Sequence, residues 1–500
     1  MVAAHGLARQ PARLFHCFIN EFFTAMDTLL QSLRHALGER YVLTGADCAP
    51  FCTDWRKRYH GQALCVVRPA TAEEVAQVVR LCAAARVAIV PQGGNTGLVG
   101  AGTPDSNVPS VVLSLQRMNR VRAVDANNLT LTVEAGCTLQ QVQQAAADAG
   151  CLFPLRMGSE GSCTIGGNLA SNAGGTQVLR YGNARELCLG LEAVTPQGEI
   201  WHGLHGLRKN NTGYDLRHLL IGSEGTLGII TAATLKLFPQ HGAQMVAWAA
   251  LPSLDAAVAL LALARRQLDA GLTGFEVMNS TSLRMVQRHF PQQRVPFVDA
   301  SANSAPWCVL LENSVSGAAE LAQQQLQAVL EAAMEQGLVD DAVLAESLAQ
   351  TRSLWHVRES IPLAQAQEGL NIKLDIAIPT SAIPAFVAET DAAIRAVVPG
   401  VHFVTFGHMG DSNLHYNVQA PTGVDPASFL QQHEAAVNTL VFDAVQRFGG
   451  SISAEHGIGQ LKRDILPRYQ SPVALGMMRA IKHALDPHNI MNPGKMLHLP

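Results

Sequence analysis

Glycine is concentrated in three stretches of the first half of this 500-residue chain, and that clustering constrains the fold more than any other feature. The stretches are Pro91-Gln-Gly-Gly-Asn-Thr-Gly97, the run from Gly158 through Gly161, Gly166-Gly167, Gly174-Gly175 and Gly182, and Gly222-Ser-Glu-Gly225-Thr-Leu-Gly228. Glycine permits positive φ and lets two backbones approach with no Cβ between them. Each stretch is therefore a tight turn or a loop whose N–H groups converge on an anion. One burst alone is as compatible with a turn; three in one region favour a shared ligand the size of a large nucleotide. The first burst lacks the Lys-Ser/Thr ending of a P-loop and no G-x-G-x-x-G occurs, so neither a kinase-like nor a Rossmann phosphate site is supported.

The patterning around the loops is mixed α/β. Ala63–Arg68 reads as a strand, Thr71-Ala-Glu-Glu74 as a capping box opening a helix with Val75, Val78, Val79 and Cys82 inward, and Val87–Val90 as a second strand that runs into the first glycine loop. Strands at Val111–Leu115 and Thr130–Glu134 follow, then a helix opened by the capping box Thr138-x-x-Gln141 and closed by Gly150. After Pro239 the bursts stop and Ala/Leu/Gln-rich helices (253–270 and 317–336) alternate with β-like runs at 307–312, 371–378 and 401–406. A second, α+β domain is expected to start there.

Charge and cysteine usage narrow the partners. Forty acids against 36 bases, net −4, leave no basic footprint for nucleic acid. The ten cysteines include no C-x-x-C pair, which argues against thiolate zinc and iron–sulfur sites and for reduced, buried thiols in the cytoplasm. No apolar run reaches the ~18 residues of a membrane span. In residues 1–25, Leu14, Phe15, Phe18, Ile19, Phe22 and Phe23 cluster after Arg9 and Arg13, and Met26 follows. An upstream start, an amphipathic surface helix and a targeting peptide compete there; an upstream start or an extension without fixed structure is the expectation.

The second half carries the polar constellations. Gly407-His-Met-Gly-Asp-Ser-Asn-Leu-His415 sets two histidines seven apart around a turn, Asn417 follows, and Ala454-Glu-His-Gly-Ile-Gly459 adds a carboxylate and a third imidazole. His408, His415 and Glu455 suit a divalent ion with an open position, although spacing alone leaves two buried or turn histidines equally open. Trp355-His-Val-Arg358-Glu-Ser-Ile-Pro362 and Lys373 offer cations for a carboxylate, with an Arg358–Glu359 surface pair as the plain alternative. His202-x-x-His205 reads as a loop without a metal role, and the charges of Thr53-Asp-Trp-Arg-Lys-Arg58 as a solvated face.

Together Pro91–Leu98, Gly161–Gly175, Arg180-Tyr-Gly182 and Ile221–Ile229 resemble the FAD-binding half of the vanillyl-alcohol-oxidase superfamily. The resemblance is to its D-2-hydroxyacid dehydrogenase branch, which includes D-2-hydroxyglutarate and D-lactate dehydrogenases and the flavin subunit of glycolate oxidase, and it spans about residues 40 to 497. It implies an α+β, two-domain flavoprotein: an N-terminal extension and helix (1–39), a vanillyl-alcohol-oxidase-type FAD domain (40–240), an α+β substrate or cap domain with a metal site (241–460), and a C-terminal segment returning to the FAD domain (461–500). Residues carried over for the cofactor are Pro91, Gly93, Gly94, Asn95, Thr96, Gly97, Gly161, Ser162, Ile165, Gly166, Gly167, Asn168, Asn172, Gly174, Gly175, Gly182, Glu224, Gly225, Ile229 and Asn492, with Lys495 beside them. No histidine lies in residues 91–103 to tether the flavin, so non-covalent FAD is expected.

By the same resemblance His408, His415 and Glu455 bind a divalent metal, Zn first, His456 is the base, and Arg358, Lys373 and Asn417 serve the substrate. Pro362 departs from the pattern, standing where the glutamate-type enzymes have a hydroxyl residue. The expected reaction is oxidation of a D-2-hydroxy acid to the 2-oxo acid, D-2-hydroxyglutarate ahead of D-lactate and glycolate. Electrons would leave for an electron-transfer flavoprotein, quinone or cytochrome. The expectation is a cytoplasmic protein without a transmembrane segment, compatible with a membrane-peripheral location and with a homodimer. Rival readings are a non-redox metal hydrolase, which leaves the glycine loops unexplained, and a catalytically silent flavin-binding subunit.

Overall fold

Alternation of apolar residues in short runs separated by capped helices produces three main sheets. The computed structural model describes residues 10–298 and 305–499, with side chains from residue 23 onward. Ser110–Ser114 lies between Cys65–Val67 and Ala88–Gln92, all parallel, and Val42–Leu43 adds an antiparallel edge. The helix Ala72–Ala85 makes the crossover, burying Val75, Val78, Val79 and Cys82. Its start differs from the expected box. Thr71 accepts from Glu74 N, but the Glu74 carboxylate reaches Ala70 N at 2.6 Å rather than the N-cap's own N–H. At Thr138 both halves of the box form, at 3.2 and 2.9 Å.

A five-stranded antiparallel sheet follows in the order Val121–Asp125, Thr130–Glu134, Ile229–Lys236, Cys188–Val194, Ile200–Gly203. One apolar cluster joins both sheets, from Leu29 and Leu33 of the N-terminal helix to Ile490 and Met491 near the other end. Ile89 N donates to Ile490 O and Asn492 N to Ile89 O, so this late segment pairs beside the strand that feeds the first glycine loop.

The third sheet has seven antiparallel strands, ordered Asp341–Leu344, Ala243–Leu251, Trp307–Val315, Leu272–Asn279, His402–His408, Asn413–Gln419, Asp375–Ala377. Period-2 geometry sends successive side chains to opposite faces. Ala247, Ala249 and Leu251 pack in the cluster of helices Leu254–Leu268 and Ala319–Glu335, whereas Val246 and Trp248 pack in that of Ser280–His289 and Leu348–Gln367. The run expected over 371–378 shortens to Asp375–Ala377, because the Leu374 N–H is taken by the Asn417 side-chain oxygen at 3.2 Å.

Residues 10–25 belong to one helix, Gln10–Leu37, where an extension without fixed structure was expected. Residues 1–9 and the side chains of Leu14, Phe15, Phe18, Ile19 and Phe22 lie outside the described residues. His202 lies in the strand Ile200–Gly203 rather than a loop, its Nδ1 3.5 Å from Glu192. The nine described cysteines are buried and unpaired. Among the described residues no helix is long and apolar enough to cross a membrane.

Candidate active site

The glycine loops stack closely enough to exclude side chains. A Cβ on Gly94 would lie 1.9 Å from the carbonyl oxygen of Ser162, and one on Gly93 2.3 Å from Thr164 Oγ1. Gly93 through Gly97 line a cavity with Thr164, Gly166, Gly167, Asn168 and Ser223 to Gly225. Among the described residues the backbone N–H groups of residues 94–98 meet no acceptor, and the buried Thr164 Oγ1 and Asn492 Oδ1 have no partner. Unsatisfied donors over a Cβ-free cradle fit the phosphates and ribityl hydroxyls of a dinucleotide such as FAD. Asn492 Nδ2 ties Ala101 O to Glu224 O at 3.0 and 2.7 Å.

The remaining carried-over residues divide by task. Gly161, Gly175 and Leu98 line a second cavity of about 1120 Å³ between the glycine loops and the seven-stranded sheet, and His456 lies in the walls of both cavities. Ile165 is core rather than cavity wall. Gly182 closes a short helix at φ +79° beside Glu186 and lines neither cavity. Asn172 caps another helix at φ +51° and accepts from Arg185 N. Glu224 is buried, and its carboxylate accepts from Ile458 N and Gly459 N at 2.7 and 2.8 Å, clamping the turn that carries His456. Gly459 must be glycine there: φ is +52°, and a Cβ would meet Val99 O at 2.2 Å.

On the sheet side, register builds a polar row across four adjacent strands. Glu276 stands opposite His408, Phe406 opposite His415, and His415 opposite Asp375. Ligand atoms of His408, His415 and Glu455 lie within 4.8 Å of one another, as do those of Asp375, Glu455 and His456. The second group is already committed. Asp375 Oδ2 accepts from Glu455 N and His456 N at 2.9 and 2.8 Å, and Oδ1 from Asn413 Nδ2 at 2.8 Å. In the first group Glu276 binds His408 Nδ1 at 2.6 Å, leaving Nε2 3.8 Å from Glu455. A carboxylate holding the far nitrogen of a histidine is the usual support of a metal ligand.

The electrostatics of this row are strong. Burial alone would lower His408, but Glu276 and Glu455 raise it to about 9. Burial raises Glu455 to about 7 against the pull of His408, with Asp375, Asp411 and Glu276 adding like charge. A divalent ion would replace the His408 proton and relieve the crowded carboxylates. His456 is held below the ordinary histidine value by burial and by Lys462, Lys373 and Arg56, against Asp375, so it stays neutral and basic near pH 7.

Glu276 and Asp375 were missed from sequence, and Arg358 has a different partner from the one expected. Arg358 is buried and donates from Nε to Glu276 at 2.8 Å, with an Nη at 2.7 Å, while Glu359 is exposed. The rest of the guanidinium is in the cavity wall. Asn417 donates to Gln365 Oε1 at 3.0 Å and accepts from Leu374 N, so both ends of its amide are taken although it lines the cavity. Lys373, two residues before Asp375, is half-buried at the opposite end of the row from Arg358. The Thr53–Arg58 run is not uniformly solvated: Trp55 is exposed, but Arg56 is half-buried.

The comparisons agree with this architecture. Residues 240–496 match the family described as FAD linked oxidases, C-terminal domain, and residues 63–203 match the FAD binding domain. A D-2-hydroxyglutarate dehydrogenase of Xanthomonas citri pv. viticola is 42% identical, over 94% of this chain and 97% of that one. A mitochondrial D-2-hydroxyglutarate dehydrogenase of Bos taurus is 36% identical, over 94% of this chain and 83% of that one. p-Cresol methylhydroxylase with substrate bound superposes with a TM-score of 0.74 at 17% identity, covering 95% of this chain and 97% of that one, a likeness of fold. The chain belongs to the FAD-linked oxidase family. It is an FAD-linked oxidoreductase, which removes the hydrolase reading.

Gly94→Ala is expected to abolish flavin retention, read as the ratio of flavin to protein absorbance after purification, because the new methyl forces the two loops apart. Full retention would show that Gly94 does not set the cradle.

Proposed function

We propose that the enzyme oxidises a D-2-hydroxy acid to the 2-oxo acid, with D-2-hydroxyglutarate the first choice and D-lactate the second. The names of the relatives support the substrate class. The carrying observation is the convergence of His408, His415 and Glu455 beside neutral His456, in the wall of a cavity that reaches the glycine loops. Arg358 receives the substrate carboxylate on the guanidinium edge that Glu276 leaves free. His456 takes the hydroxyl proton, and Asp375 fixes its backbone. FAD, when bound, accepts the hydride that leaves C2. His408, His415 and Glu455 would hold a divalent ion, Zn²⁺ first, supplying positive charge beside the hydroxyl oxygen. The flavin side comprises 40–240 with 461–500, and 241–460 covers it. The electrons pass to a carrier such as an electron-transfer flavoprotein, quinone or cytochrome.

An anaerobic absorbance spectrum tests this. D-2-Hydroxyglutarate is expected to bleach the flavin band, and prior chelation to slow the bleaching. A flavin band that neither D-acid bleaches would sink the substrate reading; bleaching indifferent to chelation would remove the metal from it.

A further inference from the structure

Pro362 lies in the cavity wall and offers no hydroxyl to the far end of a dicarboxylate. Another part of the molecule supplies cations instead. Adjacent strands lie about 4.8 Å apart, so Arg358 at the Glu276 end and Lys373 at the Asp375 end of the four-strand row are anchored roughly 14 Å apart across three such spacings. Among the described residues the Lys373 ammonium has no hydrogen-bond or ion-pair partner.

The neighbouring cation comes from the loop Thr53–His60. Asn95 Nδ2 of the first glycine loop donates to Thr53 O at 2.8 Å, and the Tyr59 ring fills the space beside Gly100. The acids near Arg56 are committed elsewhere: Asp54 accepts from the N–H groups of Arg56 and Tyr59, and Glu434 is held by Arg58 through two bonds at 3.0 and 3.1 Å. The half-buried Arg56 guanidinium is thus left without a hydrogen-bonding acceptor among the described residues. Burial and then Arg56 lower Lys373 to about 8, and Arg56 also contributes at His456. Two half-buried cations facing each other with no anion between them are costly unless a ligand supplies one.

We propose that Arg56 and Lys373 form a second carboxylate subsite, at the opposite end of the polar row from Arg358, that selects a D-2-hydroxy acid bearing a distal carboxylate. The inference rests on the D-2-hydroxy acid reading and narrows its substrate class. An anion there could be the substrate's carboxylate or a phosphate of the flavin nucleotide; the loop's seat on the first glycine loop makes the second source the one to separate.

The test uses flavin-loaded wild type, Arg56→Gln and Arg56→Lys. Each is reduced anaerobically with D-2-hydroxyglutarate and with D-lactate, and binding of the unreactive acids glutarate and butyrate is read from perturbation of the flavin spectrum. Losing one charge-assisted contact should weaken D-2-hydroxyglutarate and glutarate about 10- to 100-fold in Arg56→Gln, leave D-lactate and butyrate unchanged, and be partly restored in Arg56→Lys. Equal effects on both acids, or no effect, would overturn the subsite. Loss of flavin from Arg56→Gln would overturn it in favour of the nucleotide phosphate. Failure of wild type to be reduced by either D-acid would instead overturn the substrate reading on which it rests.

Discussion

His456→Ala is expected to slow anaerobic flavin reduction by about 10²- to 10⁴-fold, the usual contribution of a positioned general base, while the bound flavin and its spectrum persist. The side chain carries no structural hydrogen bond that its loss would orphan; its nearest acid, Asp375, is 3.6 Å from Nδ1 and already accepts three N–H groups. The turn around it is held by its backbone, through Asp375 on one side and Glu224 on the other. A structural loss and a chemical loss therefore separate: the variant should melt near the wild-type temperature and bind flavin, yet reduce it slowly. Reduction at the wild-type rate would move the base elsewhere in the cavity.

Glu276→Gln is the second large effect, and it falls first on stability. Its carboxylate is the shared counter-ion of Arg358 and His408, all three buried. Removing one member of a buried ionic group costs about 3–5 kcal/mol, because the others keep their charge without a partner. The measurement is the denaturant midpoint of the flavin-free protein, which should fall; an unchanged midpoint would mean that water replaces the lost anion.

The pH dependence follows in sign. Burial would raise Glu276, but His408 and Arg358 hold it at about 2, below the ordinary 4.5. Its contribution is complete above 4.5 and is lost as pH falls towards 2. His408, raised from 6.5 to about 9, contributes fully below 6.5 and loses its contribution as pH rises through 9. The wild-type advantage over Glu276→Gln should therefore be widest between pH 4.5 and 6.5.

What could be read from sequence was local. The glycine loops, the Thr138 box and the spacing of His408 and His415 are signals within a dozen residues of each other, and each maps to a compact piece of backbone. Glu276 and Asp375 carry no such signal. Each is a single acid inside an apolar strand, Leu-Thr-Gly-Phe-Glu-Val-Met-Asn and Ile-Lys-Leu-Asp-Ile-Ala-Ile, and its task is set by cross-strand register. One clue was present: an acid amid buried strand residues needs a partner, and that alone would have flagged both. Arg56 was obscured for the opposite reason. Its neighbours Trp55, Lys57 and Arg58 are exposed, and only the fold of the Thr53–His60 loop turns one of the three cations inward.

The polar row also bears on how the protein comes to be. Glu276, Asp375, His408 and His415 occupy neighbouring strands, yet as many as 139 positions of chain separate Glu276 from His415. Pairings of that separation carry a large loop-closure cost and form late in folding. Arg358 and His408 must then be desolvated in the same event that delivers Glu276 between them. A partly assembled sheet would leave these charges in water, so the centre has no half-built form. Chemical competence should appear all at once, as the last act of the sheet's closure.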